Sequence, residues 1–148
     1  DRELCGGNAD PDRCAAAALF HDAPEILTGD LPTPIKYAND DIRTAYRQVE
    51  EVSARKLLSM LPPEIQAGYE PLLLETDDAV RQIVKAADKL SAYIKCVEEL
   101  KAGNQEFATA AGQTREALEQ MDLPCLRYFM EHCLPSFAET LDQLQGGT

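Results

Sequence analysis

The sequence predicts an all-α fold, and three observations carry that prediction. Apolar residues recur at intervals of three and four over long stretches, the spacing that lines one side of a helix. Helix-capping residues and prolines punctuate the chain where those stretches begin and end. No segment alternates apolar and polar residues as a half-buried strand would. At 148 residues one domain covering 1–148 is expected, a compact bundle of about five to six helices with enough apolar content for a core.

The elements follow in chain order. Asp10 followed by Pro11 is an N-cap with proline at the first helical position. Cys14 to Phe20 continues as a short, alanine-rich helix. It should end near Asp22 or Ala23, because Pro24 disfavours helical geometry in the residue before it. Thr28 to Pro34 holds Gly29, Pro32 and Pro34 and reads as a loop. Asn39 can cap a second helix running to about Leu61, with Ile42, Tyr46, Val49, Val52 and Leu57 at helical spacing. Pro62 and Pro63 stop it. A short helical piece from Glu64 to Tyr69 is expected next, limited by Pro71.

Thr76 or Asp77 can cap a long helix from about Asp78 to Ala102. Its expected buried stripe is Val80, Ile83, Val84, Ala87, Leu90, Ser91, Ile94 and Val97. Gly103-Asn104 should terminate it. A further helix, about Gln105 to Gln120, carries Phe107, Ala111 and Leu118. The last begins near Asp122, with Pro124 close to its start, and presents Leu126, Phe129, Met130, Cys133, Phe137, Leu141 and Leu144. Pro135 lies inside that pattern and predicts a kink near His132, and Gly146-Gly147 should end it.

Charge narrows the function. A net charge of -12 would repel a nucleic-acid polymer or an anionic membrane. It leaves room for a small phosphate ester, provided a metal cation supplies local positive charge. No run approaches the roughly 20 apolar residues that span a bilayer, and no secretory signal is visible. The five cysteines, Cys5, Cys14, Cys96, Cys125 and Cys133, are irregularly spaced and include no Cys-x-x-Cys. They read as free thiols in a reducing cytoplasm. His132 and Cys133 are adjacent, so they point about 100° apart on a helix and read as packing or surface residues rather than zinc ligands.

The densest chemistry lies between Ala18 and Lys36. His21 and Asp22 sit at the end of an apolar helix, where unpaired carbonyls carry partial negative charge. An aspartate there is unfavourable without a cation, and a divalent metal would offset both terms. Mixed imidazole and carboxylate ligation suits manganese, iron, cobalt, nickel or zinc better than calcium. The alternative is a helix-terminal histidine beside a solvated aspartate. Glu25 is three residues on, near enough to orient and deprotonate a water in the same cleft, or else an exposed turn residue. Asp30 can accept a hydrogen bond from a substrate hydroxyl or simply organise its loop. Asp88, on the long helix, lies about 110° from the centre of the apolar stripe, a boundary position. It can reach a cleft or pair with Lys85.

Three segments in order resemble one family. They are His21-Asp22-Ala23-Pro24-Glu25-Ile26-Leu27-Thr28-Gly29-Asp30-Leu31-Pro32-Thr33-Pro34-Ile35-Lys36-Tyr37, the stretch from Val84 to Asn104 around Asp88, and Tyr128-Phe129-Met130-Glu131 leading to Pro135-Ser136-Phe137. Together they resemble the HD-domain metal-dependent phosphohydrolases, in particular the bacterial 5′-deoxynucleotidase branch. The resemblance implies that His21, Asp22 and Asp88 ligate one divalent transition metal, cobalt, manganese or a similar ion. It implies that Glu25 is the catalytic proton-transfer residue. Asp30 would face the sugar and favour 2′-deoxyribose, and Leu31, Pro32 and Thr33 would continue the substrate-binding loop. The implied reaction hydrolyses a deoxyribonucleoside 5′-monophosphate to deoxynucleoside and phosphate, in a cytoplasmic homodimer.

One departure from the family pattern concerns the start of the chain. The family carries a further histidine ligand upstream and, before it, an Arg-Trp pair that contacts substrate. The twenty residues before His21 contain no histidine, and the chain has no tryptophan. An N-terminally incomplete domain is therefore expected, with weaker metal retention, impaired catalysis and uncovered apolar surface. Two other functions stay open at this stage: an HD-type phosphohydrolase acting on another phosphate ester, and a non-catalytic helical interaction module.

Overall fold

The computed structural model describes residues 7–36, 38–140 and 142–143. Among them every regular element is helical, as the periodicity predicts. The helices are α1 (Pro11–Phe20), α2 (Glu25–Thr28), α3 (Thr33–Lys36), α4 (Asp40–Met60), α5 (Pro63–Leu73), α6 (Asp78–Lys101), α7 (Ala108–Glu119) and α8 (Pro124–His132). Single 3₁₀ turns occupy Gln105–Phe107 and Leu134–Ala138. Expectations that fall on Cys5, Tyr37, Leu141, Leu144 and Gly146-Gly147 lie outside the described residues.

Contacts group the chain into two compact units, one of Asp12–Arg81 and one of the residues up to Pro11 together with those from Gln82 onward. The first unit holds nearly all of α1, all of α2 to α5 and the first turn of α6. Its axis is α4, against which α2, α3 and α5 pack. Asn39 starts α4 as expected, its side chain accepting the Ile42 N–H at 2.8 Å, so one orphan donor of the first turn is satisfied. Ser53 and Ala54 are the buried positions of α4, whereas Ile42, Val49 and Val52 of the expected stripe stay exposed, Val52 by 67 %. Leu19 on α1 and Ile26 on α2 are exposed too.

Two boundaries in this unit differ from the expectation. α1 ends at Phe20, and residues 21–24 form a turn from which Pro24, itself in helical geometry at φ -57° and ψ -27°, leads straight into α2. Proline there starts a helix as well as ending one, because its fixed φ suits a first turn. α5 runs through Pro71 to Leu73. The missing N–H is tolerated because Pro71 lies in the last turn, and Leu74 closes the helix by donating to the Glu70 carbonyl at 2.8 Å.

α1 is fastened to the α5–α6 connection by Arg13, which pairs with Glu75 and, through Nη1 at 3.7 Å, with Asp77. The Arg13 guanidinium straddles Glu75, with Nε 2.9 Å from Oε2 and an Nη2 contact to Oε1. Glu75 Oε1 also accepts the Asp77 N–H at 2.8 Å. Phe20 meets Tyr69 of α5 edge-on, with ring centroids 5.7 Å apart, a favoured aromatic geometry.

The second unit is built on the rest of α6. The Asp77 carboxylate caps that helix as expected, accepting from Ala79 N at 2.9 Å and Val80 N at 3.3 Å. Its end is a Schellman turn. Gly103 has φ 92°, its N–H reaches the Leu100 carbonyl at 3.0 Å, and the Asn104 N–H reaches Glu99 at 2.9 Å. The core gathers Ala86, Tyr93 and Cys96 of α6 with Ala111 and Leu118 of α7 and Leu126 of α8. Ala87 and Ser91, expected in the buried stripe, are exposed; the buried face is turned toward Tyr93 and Cys96. α8 ends at His132 and a 3₁₀ turn follows, so Pro135 lies in a break where a kink was expected. His132 lies against Tyr128, with ring centroids 4.5 Å apart and planes tilted by 48°. Cys14 and Cys96 are buried and Cys125 and Cys133 half-buried; Cys96, Cys125 and Cys133 are free thiols.

Candidate active site

His21 is the first residue after α1, at the start of the turn 21–24. Its Nδ1 lies 2.6 Å from the Ala18 carbonyl. A carbonyl can only accept, so Nδ1 carries the proton and Nε2 is left with the lone pair in the neutral ring. Nε2 lies 3.1 Å from Oδ1 of Asp22. Two acceptors that close require positive charge between or beside them, either a proton on Nε2 or a cation. His21 and Asp22 therefore form a two-donor pair of imidazole and carboxylate at the surface of the first unit. Among the described residues of this unit, no third His, Cys, Asp or Glu joins them in a metal-holding group. Asp88 is exposed on α6 in the second unit.

Glu25 opens α2, its N–H bonded to the Asp22 carbonyl at 2.9 Å. Its carboxyl is pushed above the ordinary 4.5, first by burial, then by the charges of Asp22 and Asp30. Lys36 opposes that shift and Glu50 adds to it. A half-buried carboxyl held in reach of two others holds its proton more readily than a free one, which suits a group that both takes and returns a proton. This brings Asp22, Glu25 and Asp30 into one electrostatic neighbourhood.

The loop carrying Asp30 turns at Gly29. Its φ of 70° and ψ of 161° belong to a region essentially reserved for glycine. Its carbonyl accepts from Thr28 Oγ1 at 2.9 Å and from the Tyr46 hydroxyl at 3.1 Å. Asp30 and Pro32 are exposed and Leu31 is half-buried. Thr33 begins α3, whose first turn closes on the Pro32 carbonyl through Ile35 N at 2.8 Å and Lys36 N at 3.0 Å. Part of the expected loop is thus helical, because Pro34 falls in a first turn, where it needs no N–H partner. Lys36 Nζ pairs with Glu50 at 2.7 Å and lies 4.6 Å from the Tyr46 ring centroid.

Sequence reasoning missed Lys36, Tyr46 and Glu50. Tyr46 reads as one apolar position of a helix stripe, and nothing in the spacing shows where its hydroxyl goes. The one available signal is that Tyr46 and Glu50 are four apart, hence on one face of α4. The second unit carries a groove of about 600 Å³ lined by Tyr93, Arg115, Leu126 and Met130 among others; none of the sequence-predicted site residues lines it.

Comparison with known proteins adds the chemistry. Residues 1–137 match the family described as 5′-deoxynucleotidase YfbR-like. A protein of Erwinia tasmaniensis named 5′-deoxynucleotidase is 47% identical over 140 residues, covering 93% of this chain and 71% of the relative. A Photobacterium profundum protein named 5′-deoxynucleotidase PBPRA2627 is 48% identical over 142 residues, covering 93% of this chain and 72% of the relative. An Escherichia coli O1:K1 protein named 5′-deoxynucleotidase YfbR is 45% identical over 141 residues, covering 94% and 71%.

Proposed function

The chain belongs to the YfbR-like 5′-deoxynucleotidase family and is a phosphoric monoester hydrolase of deoxyribonucleoside 5′-monophosphates, and from that premise we propose which of its residues do the work. The observation that carries the assignment is the His21 Nε2–Asp22 Oδ1 approach at 3.1 Å, two donor atoms close enough together for one divalent cation to take both. His21 and Asp22 are two ligands of a divalent metal and Asp88 is a third. These residues would hold the metal, which when bound would supply positive charge to offset that of the phosphate. Imidazole with carboxylates fits manganese, cobalt or a similar transition ion.

The remaining steps belong to side chains. Glu25 takes the proton of the water that attacks phosphorus and returns it to the 5′ oxygen as the P–O bond breaks, leaving deoxynucleoside and phosphate. Its raised carboxyl supports both halves of that task. Asp30 faces the sugar and favours one that lacks a 2′-hydroxyl. Leu31, Pro32 and Thr33 continue the wall of the sugar site. Free thiols at Cys96, Cys125 and Cys133 support a cytoplasmic setting, and no helix among the described residues is long and apolar enough to cross a membrane. A homodimer is supported by the exposed positions Ile42, Ala45, Val49 and Val52, whose 3-4-3 spacing is that of a helix-pairing seam.

The test is phosphate release from deoxy- and ribonucleoside 5′-monophosphates with and without added divalent metal, alongside metal content. Metal-dependent release favouring deoxy substrates is expected. Asp88→Ala should lower bound metal; unchanged occupancy removes Asp88 from the ligand set.

A further inference from the structure

We propose that Tyr46 is a positioning residue for sugar discrimination, acting through the Gly29 carbonyl on Asp30. The proposal rests on the reading of Asp30 as the group that faces the sugar. Gly29 C=O and Asp30 N–H belong to one planar peptide unit, which also fixes the Asp30 Cα. Whatever holds the Gly29 oxygen therefore holds the starting point of the Asp30 side chain. That oxygen is held by the Tyr46 hydroxyl at 3.1 Å and by Thr28 Oγ1 at 2.9 Å. The two bonds differ in kind. Thr28 is the adjacent residue and moves with the loop. Tyr46 is anchored on α4, seventeen residues away, and ties the loop to the longest helix of its unit.

The restraint matters because the loop turns at a glycine, whose backbone has more accessible conformations than that of any other residue. Its φ of 70° is accessible to glycine without strain, and a Cβ built there would meet nothing within 4 Å. No side-chain packing at its Cα holds Gly29; its N–H is tied back to the Glu25 carbonyl at 2.9 Å as the cap of α2, and the orientation of the peptide that follows is left to the hydrogen bonds on its oxygen. The far end of the same loop is fastened to the same face of α4. Lys36 Nζ reaches Glu50 at 2.7 Å and stacks over the Tyr46 ring at 4.6 Å, within the range of a cation–π contact. Tyr46 and Glu50, one helical turn apart, thus pin residues 29–36 at both ends. Tyr46 alone contributes to both pins, with its hydroxyl at one and its ring at the other.

Tyr46→Phe removes only the hydroxyl and leaves the ring beneath Lys36. The ratio of kcat/KM for a deoxyribonucleoside 5′-monophosphate to that for its ribonucleotide should fall roughly two- to tenfold, the range of one net hydrogen bond. Asp30→Ala should collapse the same ratio, and Tyr46→Phe added to Asp30→Ala should change it no further. The Asp30 amide resonance of the labelled chain should move in Tyr46→Phe. Tyr46→Phe that slows both substrates equally, or leaves both the ratio and the Asp30 amide unmoved while Asp30→Ala collapses the ratio, overturns the role of Tyr46. Asp30→Ala with full discrimination overturns the reading of Asp30 itself, and the route from Tyr46 falls with it.

Discussion

Removing either half of the Arg13–Glu75 pair should unlock α1, the helix that presents His21. The Glu75 side chain is only 9 % exposed and Arg13 38 %. Burial by itself would raise the Glu75 carboxyl. The hydrogen bonds from Arg13 and from the Asp77 and Thr76 N–H groups, with the Arg13 charge, win and hold it below its ordinary 4.5. A charge-assisted hydrogen bond contributes about 1.5–3 kcal/mol and an exposed ion pair about 0–1. With one partner nearly buried and the other partly solvated, Arg13→Ala should cost about 2 kcal/mol, roughly a thirtyfold shift in the unfolding constant. Glu75→Gln keeps an oxygen for the Asp77 N–H and should cost less, about 1 kcal/mol. The double variant leaves no orphaned buried charge, so the two costs should fall short of adding by about 1 kcal/mol or more.

Urea unfolding of the four proteins measures that coupling. The pH dependence supplies a second reading. A carboxyl lowered in the fold contributes stability that is full above its unfolded pKa and is lost as pH falls through the folded one. The gap between wild type and Glu75→Gln should therefore be complete at pH 7 and shrink below pH 4.5. Coupling under about 0.3 kcal/mol, within ordinary additivity, or a gap that ignores pH, would refute the argument.

Glu25→Gln should cut turnover by about 10²–10⁴-fold, the usual size of a general acid–base contribution. The same change should raise the urea midpoint of chelator-treated protein at pH 7. A carboxyl raised in the fold opposes folding once ionised, and the amide removes that cost; a lowered midpoint counts against the assigned environment. Gly29→Ala places a Cβ in open space, so its only penalty is backbone strain at φ 70°. The loss should be about 1–3 kcal/mol with reduced sugar discrimination, and wild-type stability in urea would show that Gly29 is not held there.

The helices and their ends were written locally. Asn39 three residues before Ile42, Asp77 before Ala79 and Val80, and Gly103 before Asn104 each complete a cap within one turn, so sequence neighbours suffice to place them. The concentration of His21, Asp22, Glu25 and Asp30 in ten residues is equally visible, because one turn, one short helix and the start of the loop after it carry them all. Pro71 was misleading for the opposite reason. Whether a helix tolerates proline depends on how far it continues beyond, and that is set by what the next segment does.

Tertiary structure decided which faces are buried and which groups meet. α6 carries apolar residues around more than half its circumference, so two stripes are possible. The core of Leu118 and Leu126 selects the one with Tyr93 and Cys96 and leaves Ala87 and Ser91 in water. The sequence alone determines that this chain is helical, acidic and armed with a His-Asp-Glu-Asp segment. Only folding brings Glu75 to Arg13 across 62 residues and Tyr46 to Gly29 across 17, because a long-range contact is chosen by competition among all the surfaces the chain could bury. No local spacing records the outcome of that competition.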